Sequence, residues 1–459
     1  MFMLMVVVFV LGYTAIALEH PIKVDKAAPA LLIGVITWVI FILNGHDILN
    51  LGFRTDWTEL TGTIHNYSHF IKHELGHHLS EIAEILFFLL GAMTIVEVID
   101  RHDGFRLVTD KIKTPNKVKL LWIFSILSFF MSAALDNLTT TIVMLALIRK
   151  VVSDKETRWF YAAMVVLASN AGGAWSPIGD VTTIMLWIGE QITAGGVIKN
   201  LIIPSLVTML VPVIIMSFFL KGDVNPVKKI ADDDDGIEKV TARERNFLLI
   251  LGVGSLLFVP LFKTFTHLPP YMGMLLGLGN MWVATEIMQR KKSIAFKRKY
   301  SVIAILKHVD ISTILFFLGI LTAVASLQAA GHLALVAGYL DTNLGNIYLI
   351  DLAIGVLSAI VDNVPLVAGS MGMYEIANPD TVVAGSYAAE FVQDGNFWNF
   401  LALAAGTGGS ILIIGSAAGV AAMGIEKIDF IWYLKKISLL ALAGYLSGAA
   451  TYYFMFEIL

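Results

Sequence analysis

Long apolar stretches, separated by short polar ones, run through almost the whole chain. Ten of them are long enough to cross about 30 Å of hydrocarbon as helices, which takes ~20 residues. They are 1–18, 27–44, 82–100, 159–190, 198–220, 246–264, 271–288, 310–328, 397–425 and 430–456. The ~10-residue alternating segments of an outer-membrane barrel are absent from the sequence. The pattern therefore predicts an all-α polytopic membrane protein.

Two further apolar segments, 119–150 and 346–375, are interrupted near the middle by an Asp-Asn pair. Each has two arms of roughly 13–16 residues, which reach only ~20–24 Å at 1.5 Å per residue and fall short of a full crossing. We therefore predict two re-entrant hairpins with their tips near the middle of the membrane.

Both predicted tips share the pattern S-A-x-x-D-N, which ends at Asp136-Asn137 in the first copy and at Asp362-Asn363 in the second. A carboxylate within apolar sequence is costly, so an intramembrane acid is a candidate for function. Matching acids in two halves of a chain indicate a transporter built from a repeat, with its site where the repeats meet.

The chain divides into two halves with the same order of elements. Residues 1–220 and 246–459 each contain five crossings, one of them a broken helix (159–190 or 397–425), and one hairpin. An odd number of crossings forces the second half to be inverted relative to the first. The polar segment 221–245 is predicted to be a cytoplasmic linker. Its acidic run, Asp232–Asp235, is typical of a solvated loop rather than a metal site.

Glycine and proline interrupt the two predicted broken helices. Gly172, Gly173 and Pro177 lie in the first, and Gly408 and Gly409 lie in the second. Such residues weaken a helix interior, and unwound backbone survives in a membrane only where it lines a cavity or is buried in protein. Glycine motifs also serve as helix-packing surfaces, and Ser or Thr hydroxyls in membrane helices often bond their own backbone. Both interpretations remain open.

The basic residues are distributed unequally between the polar connections. Six segments, 19–26, 101–119, 149–158, 221–245, 289–308 and 426–436, hold 28 of the 32 Lys and Arg. The positive-inside rule assigns these segments to the cytoplasm, which predicts an inner (plasma) membrane protein with both termini outside. No Lys or Arg occurs between Val309 and Glu426, a stretch that includes the second hairpin.

Composition agrees with the membrane class. The chain is 57% hydrophobic and 15% charged, with a mean hydropathy of +0.76, whereas soluble domains carry about 25% charged residues. The lack of cysteine excludes disulfides and thiolate chemistry. The first residues resemble a signal peptide but lack its basic start, so 1–18 is predicted to be a retained helix.

Side chains with oxygen atoms are concentrated at the hairpin tips and helix breaks. The candidate cation- and proton-binding residues are Asp136, Asn137, Thr140, Ser169, Asn170, Asp180, Thr182, Thr183, Ser358, Asp362, Asn363, Thr407, Ser410 and Ser416. Hard cations favour oxygen ligands, and a site with few full charges suits a monovalent cation better than Ca²⁺. We predict Na⁺ at Asp136, Asn137, Asn170, Asp180 and Thr182, with no catalytic residue and no resident cofactor.

These segments resemble the NhaD family of sodium/proton antiporters, within the ion transporter superfamily. The resemblance covers nearly the whole chain and is carried by 17–32, 81–100, 132–144, 169–183, 358–375 and 406–424. It implies that the hairpin tips and the breaks bind the cation and protons, with Na⁺ or Li⁺ exchanged for H⁺. It also implies a homodimer in the lipid bilayer with a scaffold and a moving transport domain. No nucleic-acid partner is expected.

The predicted mechanism is alternating access, with Na⁺ (or Li⁺) and H⁺ competing for the same intramembrane carboxylates. Burial favours the neutral form of a carboxyl group, so each Asp can hold a proton until a cation replaces it. Asp362 has fewer acidic neighbours in the repeat pattern than Asp136, and we expect it to hold a proton at rest.

A zinc enzyme is one alternative, because residues 73–77 read H-E-L-G-H. The H-E-x-x-H pattern on a helix supplies two zinc ligands and a general base. Here it precedes the apolar run 82–100 and is predicted to lie on an amphipathic surface helix with His65, His69 and His78, which disfavours an intramembrane metalloprotease.

An anion transporter of the same superfamily, moving a carboxylate or an oxyanion, is the other alternative. The hairpin tips carry acids and no Lys or Arg, whereas anion sites use bound cations or basic side chains. The tip composition therefore favours a cation as the substrate.

Overall fold

The computed structural model describes residues 1–53, 67–109, 112, 114–224, 240–383 and 385–458. Regular structure in this part of the chain is helical, apart from one isolated bridge between Asn116 and Asp223. Most of the predicted linker 221–245, including Asp232–Asp235, lies outside the described residues, and so does His65.

The helices of the first half occupy every predicted crossing and both arms of the first hairpin. They are α1 (Phe2–Ala17), α2 (Glu19–Ile22), α3 (Ala27–Leu43), α4 (Gly45–Leu49), α5 (Tyr67–Arg101), α6 (Arg106–Thr109), α7 (Lys117–Leu135), α8 (Asn137–Val151), α9 (Lys155–Ala174), α10 (Val181–Ile188) and α11 (Ala194–Phe219). The first hairpin is α7 and α8, and the first broken helix is α9 and α10.

The second half has the same order of long elements. Its helices are α12 (Ala242–Thr266), α13 (Pro270–Gln289), α14 (Ile294–Tyr300), α15 (Val302–Leu306), α16 (Ile311–Ala329), α17 (His332–Asn343), α18 (Ile347–Leu357), α19 (Asn363–Met373), α20 (Asn396–Gly408), α21 (Ala417–Glu426), α22 (Phe430–Lys436) and α23 (Ser438–Tyr453). The second hairpin is α18 and α19, and the second broken helix is α20 and α21. A 3₁₀ turn at Tyr387–Phe391 and a π turn at Phe454–Ile458 complete it.

Six of the described helices are long and apolar enough to cross a membrane: α5, α7, α11, α12, α16 and the helix Ser438–Ile458. Helix α7 has 19 residues, so the prediction of two short arms is wrong for the leading arm of the first hairpin. Asn116 starts it early, because its side chain accepts a hydrogen bond from the Lys119 amide at 3.0 Å. The arms of the second hairpin are 11 residues each and match the prediction of short arms.

The crossing predicted at 82–100 is also longer than expected. Helix α5 has 35 residues and begins at Tyr67. Residues 67–81 contain no proline, so nothing ends the helix where the apolar run ends. The H-E-L-G-H motif therefore lies on a helix with exposed histidines, as predicted, but this helix is continuous with the one that contains the apolar run 82–100.

Two groups of helices pack mainly within themselves. The first group is α1, α3, α5, α12, α13 and α16, and the second group is α7, α8, α9, α11, α18, α20, α21 and α23. Glycines allow close contact in both. A Cβ added at Gly319 of α16 would lie 2.4 Å from the Ala30 backbone of α3, and one added at Gly444 of α23 would lie 2.5 Å from the Thr208 carbonyl oxygen of α11.

Contacts between the segments that link the helices agree with the side of the membrane that the Lys and Arg distribution predicts for each segment. Glu426 pairs with Arg149 and Arg158, all from segments assigned to the basic side. On the opposite side, Thr193 donates to Asp394 at 2.6 Å. Segments that the basic-residue count placed together therefore contact each other in the folded chain.

The Glu426 pairs should contribute measurably to stability, because the Glu426 side chain is 0% exposed and Arg158 only 22%. Removing one partner of a buried carboxylate leaves part of its charge uncompensated. We expect Arg158→Ala to lower the thermal unfolding midpoint in detergent by about 2–5 °C, allowing for the exposed part of the arginine.

The matched control is Arg298→Ala, since Arg298 is exposed on α14. Its unfolding midpoint should stay within about 1 °C of wild type, as for most surface changes. Equal midpoints for the two variants, measured by differential scanning fluorimetry, would contradict a stabilising role for the Arg158–Glu426 pair.

Candidate functional site: the junction of two hairpins and two broken helices

Asp136 forms the sharp turn between the two arms of the first hairpin. Its φ is +84°, a region that non-glycine residues seldom adopt. The carboxylate accepts hydrogen bonds from the Thr139 amide at 2.7 Å and from the Thr139 hydroxyl at 2.8 Å. These bonds cap α8 and hold the strained turn, so the position of the acid is determined by the local backbone.

Asp180 has the corresponding place in the first broken helix, where α9 ends and α10 begins. Its carboxylate accepts from the Thr182 amide at 3.1 Å, and the Thr183 hydroxyl completes a capping box by accepting from the Asp180 amide at 3.3 Å. The residue is 1% exposed. A carboxylate this deeply buried requires hydrogen-bond donors or a cation to offset its lost hydration.

Amide side chains supply the donors and join the hairpin to the break. Asn137 donates to Asp180 at 2.7 Å and to the side-chain oxygen of Asn170 at 3.0 Å. Asn170 in turn donates to the hydroxyls of Ser410 and Ser416 at 2.8 and 2.9 Å. One hydrogen-bonded cluster therefore contains residues from both halves of the chain.

Asn363, at the tip of the second hairpin, also reaches this cluster. Its amide nitrogen lies 3.5 Å from the Asp180 carboxylate. Asp180 thus receives amide groups from both hairpin tips, and the sequence-predicted residues Asn137, Asn170, Asp180, Ser410, Ser416 and Asn363 lie together.

Four half-helices begin at this junction and four helices end there. Helices α8, α10, α19 and α21 start after Asp136, Asp180, Asp362 and Ser416, and each of these side chains caps its own helix. Helices α7, α9, α18 and α20 end close by. Helix starts carry partial positive charge, which favours the carboxylates, and helix ends offer carbonyl oxygens to a cation.

The two hairpins contact their broken helices in matching ways. Ser132 donates to the Ser169 carbonyl at 2.6 Å, and Ser358 donates to the Ala405 carbonyl at 2.9 Å. A Cβ at Gly172 would lie 2.2 Å from the Phe129 carbonyl oxygen. A Cβ at Gly408 would lie 1.9 Å from the carbonyl oxygen of Gly355. The glycines therefore pack the helices together, as the packing interpretation predicts.

The remaining candidate hydroxyls divide into two kinds. Thr407 donates to the Leu403 carbonyl of its own helix at 2.6 Å, and Thr183 serves the cap described above, so both are used locally. Thr140, Ser169 and Thr182 are buried, and within the described residues their hydroxyls have no hydrogen-bond partner. These three hydroxyls are free to serve as ligands.

Asp362 is held differently from the other two acids. The Lys26 ammonium lies 3.4 Å from its carboxylate, and the Val364 amide donates to it at 3.2 Å. This pair places a basic side chain beside the tip of the second hairpin. The expectation that Asp362 holds a proton at rest stays a prediction. Nothing in the sequence distinguishes Lys26 from other basic residues beside an apolar run.

Asp351 is a second residue that the sequence reasoning missed. It lies on α18, is 0% exposed, and neither carboxylate oxygen has a hydrogen-bond partner among the described residues. The signal was present, because Asp351 interrupts the apolar run Ile347–Leu357, and the cost of an acid in such a run applies to it as it does to Asp136.

Two cavities approach the junction. One of about 280 Å³ is lined by Glu81 and Glu84 of α5, by Met185 of α10 and by Ala368 of α19. Another of about 200 Å³ is lined by Lys26 and by residues that flank the tips and breaks, including Leu138 and Ala417. The larger of these two cavities contacts the half-helices α10 and α19 beyond their capped starts. The smaller cavity contacts the starts of α8 and α21.

The H-E-L-G-H segment is not arranged as a metal centre. The side chains of His73 and His77 are 71% and 59% exposed. Within the described residues, no three His, Asp or Glu side chains are grouped so that they could hold a metal ion. The motif match lacks the context that a zinc peptidase needs.

Comparison with known proteins identifies the family. The family described as "citrate transporter" matches residues 13–389. The chain is 46% identical to "Sodium/proton antiporter 1" of Arabidopsis thaliana, over 98% of this chain and 71% of the relative. It is 43% identical to "Sodium/proton antiporter 2" of the same plant, over 98% of both chains.

A bacterial relative is more distant but also matches over most of its length. The chain is 30% identical to "Na(+)/H(+) antiporter NhaD" of Vibrio cholerae, over 93% of this chain and 86% of the relative. The matching family and these relatives are transporters and not enzymes. The chain is therefore a multi-pass membrane protein that belongs to the NhaD-type Na⁺/H⁺ antiporters of the ion transporter superfamily.

Proposed function

We propose that this protein is a secondary active transporter that exchanges Na⁺ (or Li⁺) for H⁺. The names of its plant and bacterial relatives support this proposal. The observation that carries it is the buried cluster of Asp180, Asn137 and Asn170, which places an acid among amide and hydroxyl oxygens where two hairpins meet two helix breaks.

In the proposed site, Na⁺ binds among Asp136, Asn137, Asn170, Asp180 and Thr182. Every side-chain ligand in this set is an oxygen donor, as a hard cation prefers. To admit the ion, the Asn137 and Asn170 amides exchange their present hydrogen bonds for contact through their carbonyl oxygens. Asp136 and Asp180 supply the two nearby carboxylates, which a proton or a cation can neutralise.

Exchange follows because the same carboxylates can bind either a proton or Na⁺. A buried carboxylate needs a partner for its charge, and either a proton or a metal ion can be that partner. An arriving Na⁺ stabilises the charged form and releases the proton. A carboxylate can hold a proton or Na⁺ but not both at once, and this competition couples the proton flux to the Na⁺ flux.

We further propose alternating access by two inverted repeats. The matching hairpin contacts, Ser132 with Ser169 and Ser358 with Ala405, support a repeat. The packing of helices into two groups supports a scaffold (first group) and a transport domain (second group). The cytoplasmic placement of the basic side, both termini outside, the plasma membrane and the homodimer belong to the same proposal.

Anion transport remains the second candidate, because the family that matches residues 13–389 is described as "citrate transporter". Within the described residues, the Asp180 cluster contains one carboxylate together with amides and hydroxyls and no Lys or Arg, while Lys26 pairs with Asp362. An anion would have to approach this acid, so the site favours a cation.

Asp180→Asn should reduce Na⁺-driven proton movement to background, because the amide has nearly the same shape but cannot exchange a proton for a cation. The measurement is the recovery of a pH-dye signal in reconstituted vesicles when Na⁺, Li⁺, K⁺ or citrate is added. Wild type should respond to Na⁺ and Li⁺ and not to citrate.

The matched control is Asp154→Asn, which changes an Asp that also caps a helix, at the start of α9 and outside the site. It should keep wild-type exchange. Full activity in Asp180→Asn would refute the assignment of this carboxylate, and a wild-type response to citrate alone would favour the anion transporter.

The orientation can be tested with single cysteines, since the chain has none. Cysteine at the exposed position Thr342, before the second hairpin, should react with an impermeant thiol reagent added to intact cells. Cysteine at the exposed position Lys119, at the start of the first hairpin, should react only after the membrane is opened. The reverse pattern would invert the topology, and labelling of both from one side would contradict the inverted repeat.

A further inference from the structure

Lys26 connects the first helix group to the second hairpin. It directly precedes α3, which packs against α1 and α16. Its ammonium lies 3.4 Å from the Asp362 carboxylate and 4.2 Å from the centre of the Phe316 ring of α16. The side chains of Lys26 and Asp362 are 19% and 15% exposed, so water screens this pair only in part.

The position of this ion pair distinguishes it from the pairs formed by Glu426. Arg149, Arg158 and Glu426 lie on α8, α9 and α21, which all belong to the second group. Their pairs would be preserved if that group moved as a body. The Lys26–Asp362 pair instead joins α3 to a hairpin tip and must break if the tip moves relative to α3.

We propose that Lys26 is a charge-sensitive latch. It holds the tip of the second hairpin against the start of α3, and so prevents the conformational switch, while Asp362 is charged and has no bound ion. This proposal rests on the proposed antiport function. The attraction between Lys26 and Asp362 is strongest when the carboxylate carries a full negative charge. A proton or a metal cation bound at Asp362 removes that charge, weakens the pair and releases the hairpin tip.

Such a latch meets a requirement of coupled exchange that ion binding alone does not meet. An antiporter must switch its binding site from one side of the membrane to the other when either substrate is bound. It must not make this switch when the site is empty. An empty carrier that returns freely lets Na⁺ run down its gradient without a counter-flow of protons. The Lys26–Asp362 pair penalises movement while the Asp362 carboxylate is charged, and this penalty is lost once a proton or a metal cation binds at Asp362.

The surroundings give an ion or proton access to the pair. A space of about 50 Å³ beside it is lined by Lys26, Asp362, Tyr13 and Glu19. The adjoining cavity of about 200 Å³ is lined by Lys26 and by Glu19, Asp25 and Asp310. These acids can attract cations from the basic side of the protein towards Asp362.

The test is to measure both fluxes in one preparation. Vesicles loaded with ²²Na⁺ are held at equal pH on both sides and at a clamped membrane potential, and the ²²Na⁺ released is compared with the protons taken up. We expect Lys26→Ala to release ²²Na⁺ with fewer protons per ion than wild type. The rate of ²²Na⁺ release that is not matched by proton uptake should rise about fivefold, the effect expected from the loss of one partly exposed ion pair.

Two variants accompany this measurement. Lys26→Arg keeps the positive charge and should keep the wild-type ratio of protons to Na⁺. Lys23→Ala removes an exposed lysine from the same connection and should also keep it. If Lys26→Ala fails to give a single peak in size-exclusion chromatography, Lys26→Met replaces it, because methionine retains the apolar stem that covers Phe316.

The outcomes separate the latch from the underlying function. Wild-type vesicles that show no Na⁺-dependent proton flux would overturn the proposed antiport. Wild-type exchange together with an unchanged proton ratio in Lys26→Ala would overturn the latch alone. A folded Lys26→Ala protein that releases no ²²Na⁺ would also overturn it, since loss of a latch must not stop transport.

Discussion

The arrangement of this protein depends on placing one buried carboxylate, Asp180, among amide donors from two distant parts of the chain. Helices that stop inside a membrane leave peptide groups without partners, which is costly in hydrocarbon. The three acids and one serine at the four half-helix starts satisfy part of that demand, and Asn137 and Asn363 then stabilise Asp180 itself. The helix breaks and the polar cluster therefore stabilise each other.

Much of this arrangement could be predicted from the sequence, because the costs involved are local. An acid within an apolar run and a Gly-Gly pair before Pro177 are visible without a structure, and they located the tips and breaks. The pairing of Lys26 with Asp362 could not be predicted, because it joins positions 336 residues apart. The extent of α5 was missed for another reason: hydropathy marks where a helix enters lipid, not where the helix begins. Asp351 was missed although the same cost argument applies to it.

The two halves share a framework but contribute unequally to the site. Asp180 in the first broken helix corresponds to Ser416 in the second, and Asn170 corresponds to Gly406. Asn170 reaches across to Ser410 and Ser416, so the second half supplies hydroxyls to a cluster whose buried acid comes from the first. The matching elements of the two halves therefore form one asymmetric cluster rather than two equivalent ones.

Gly172 lies against the Phe129 carbonyl group and Gly408 lies against the Gly355 carbonyl group, so at these two points each hairpin meets its broken helix backbone to backbone. A contact of this kind has no side-chain rotamers that could absorb a relative movement. Sliding of a hairpin along its broken helix would therefore bring backbone atoms into collision at these points. Compliance must instead come from surfaces where longer side chains meet, such as the contact of α3 with the tip of the second hairpin.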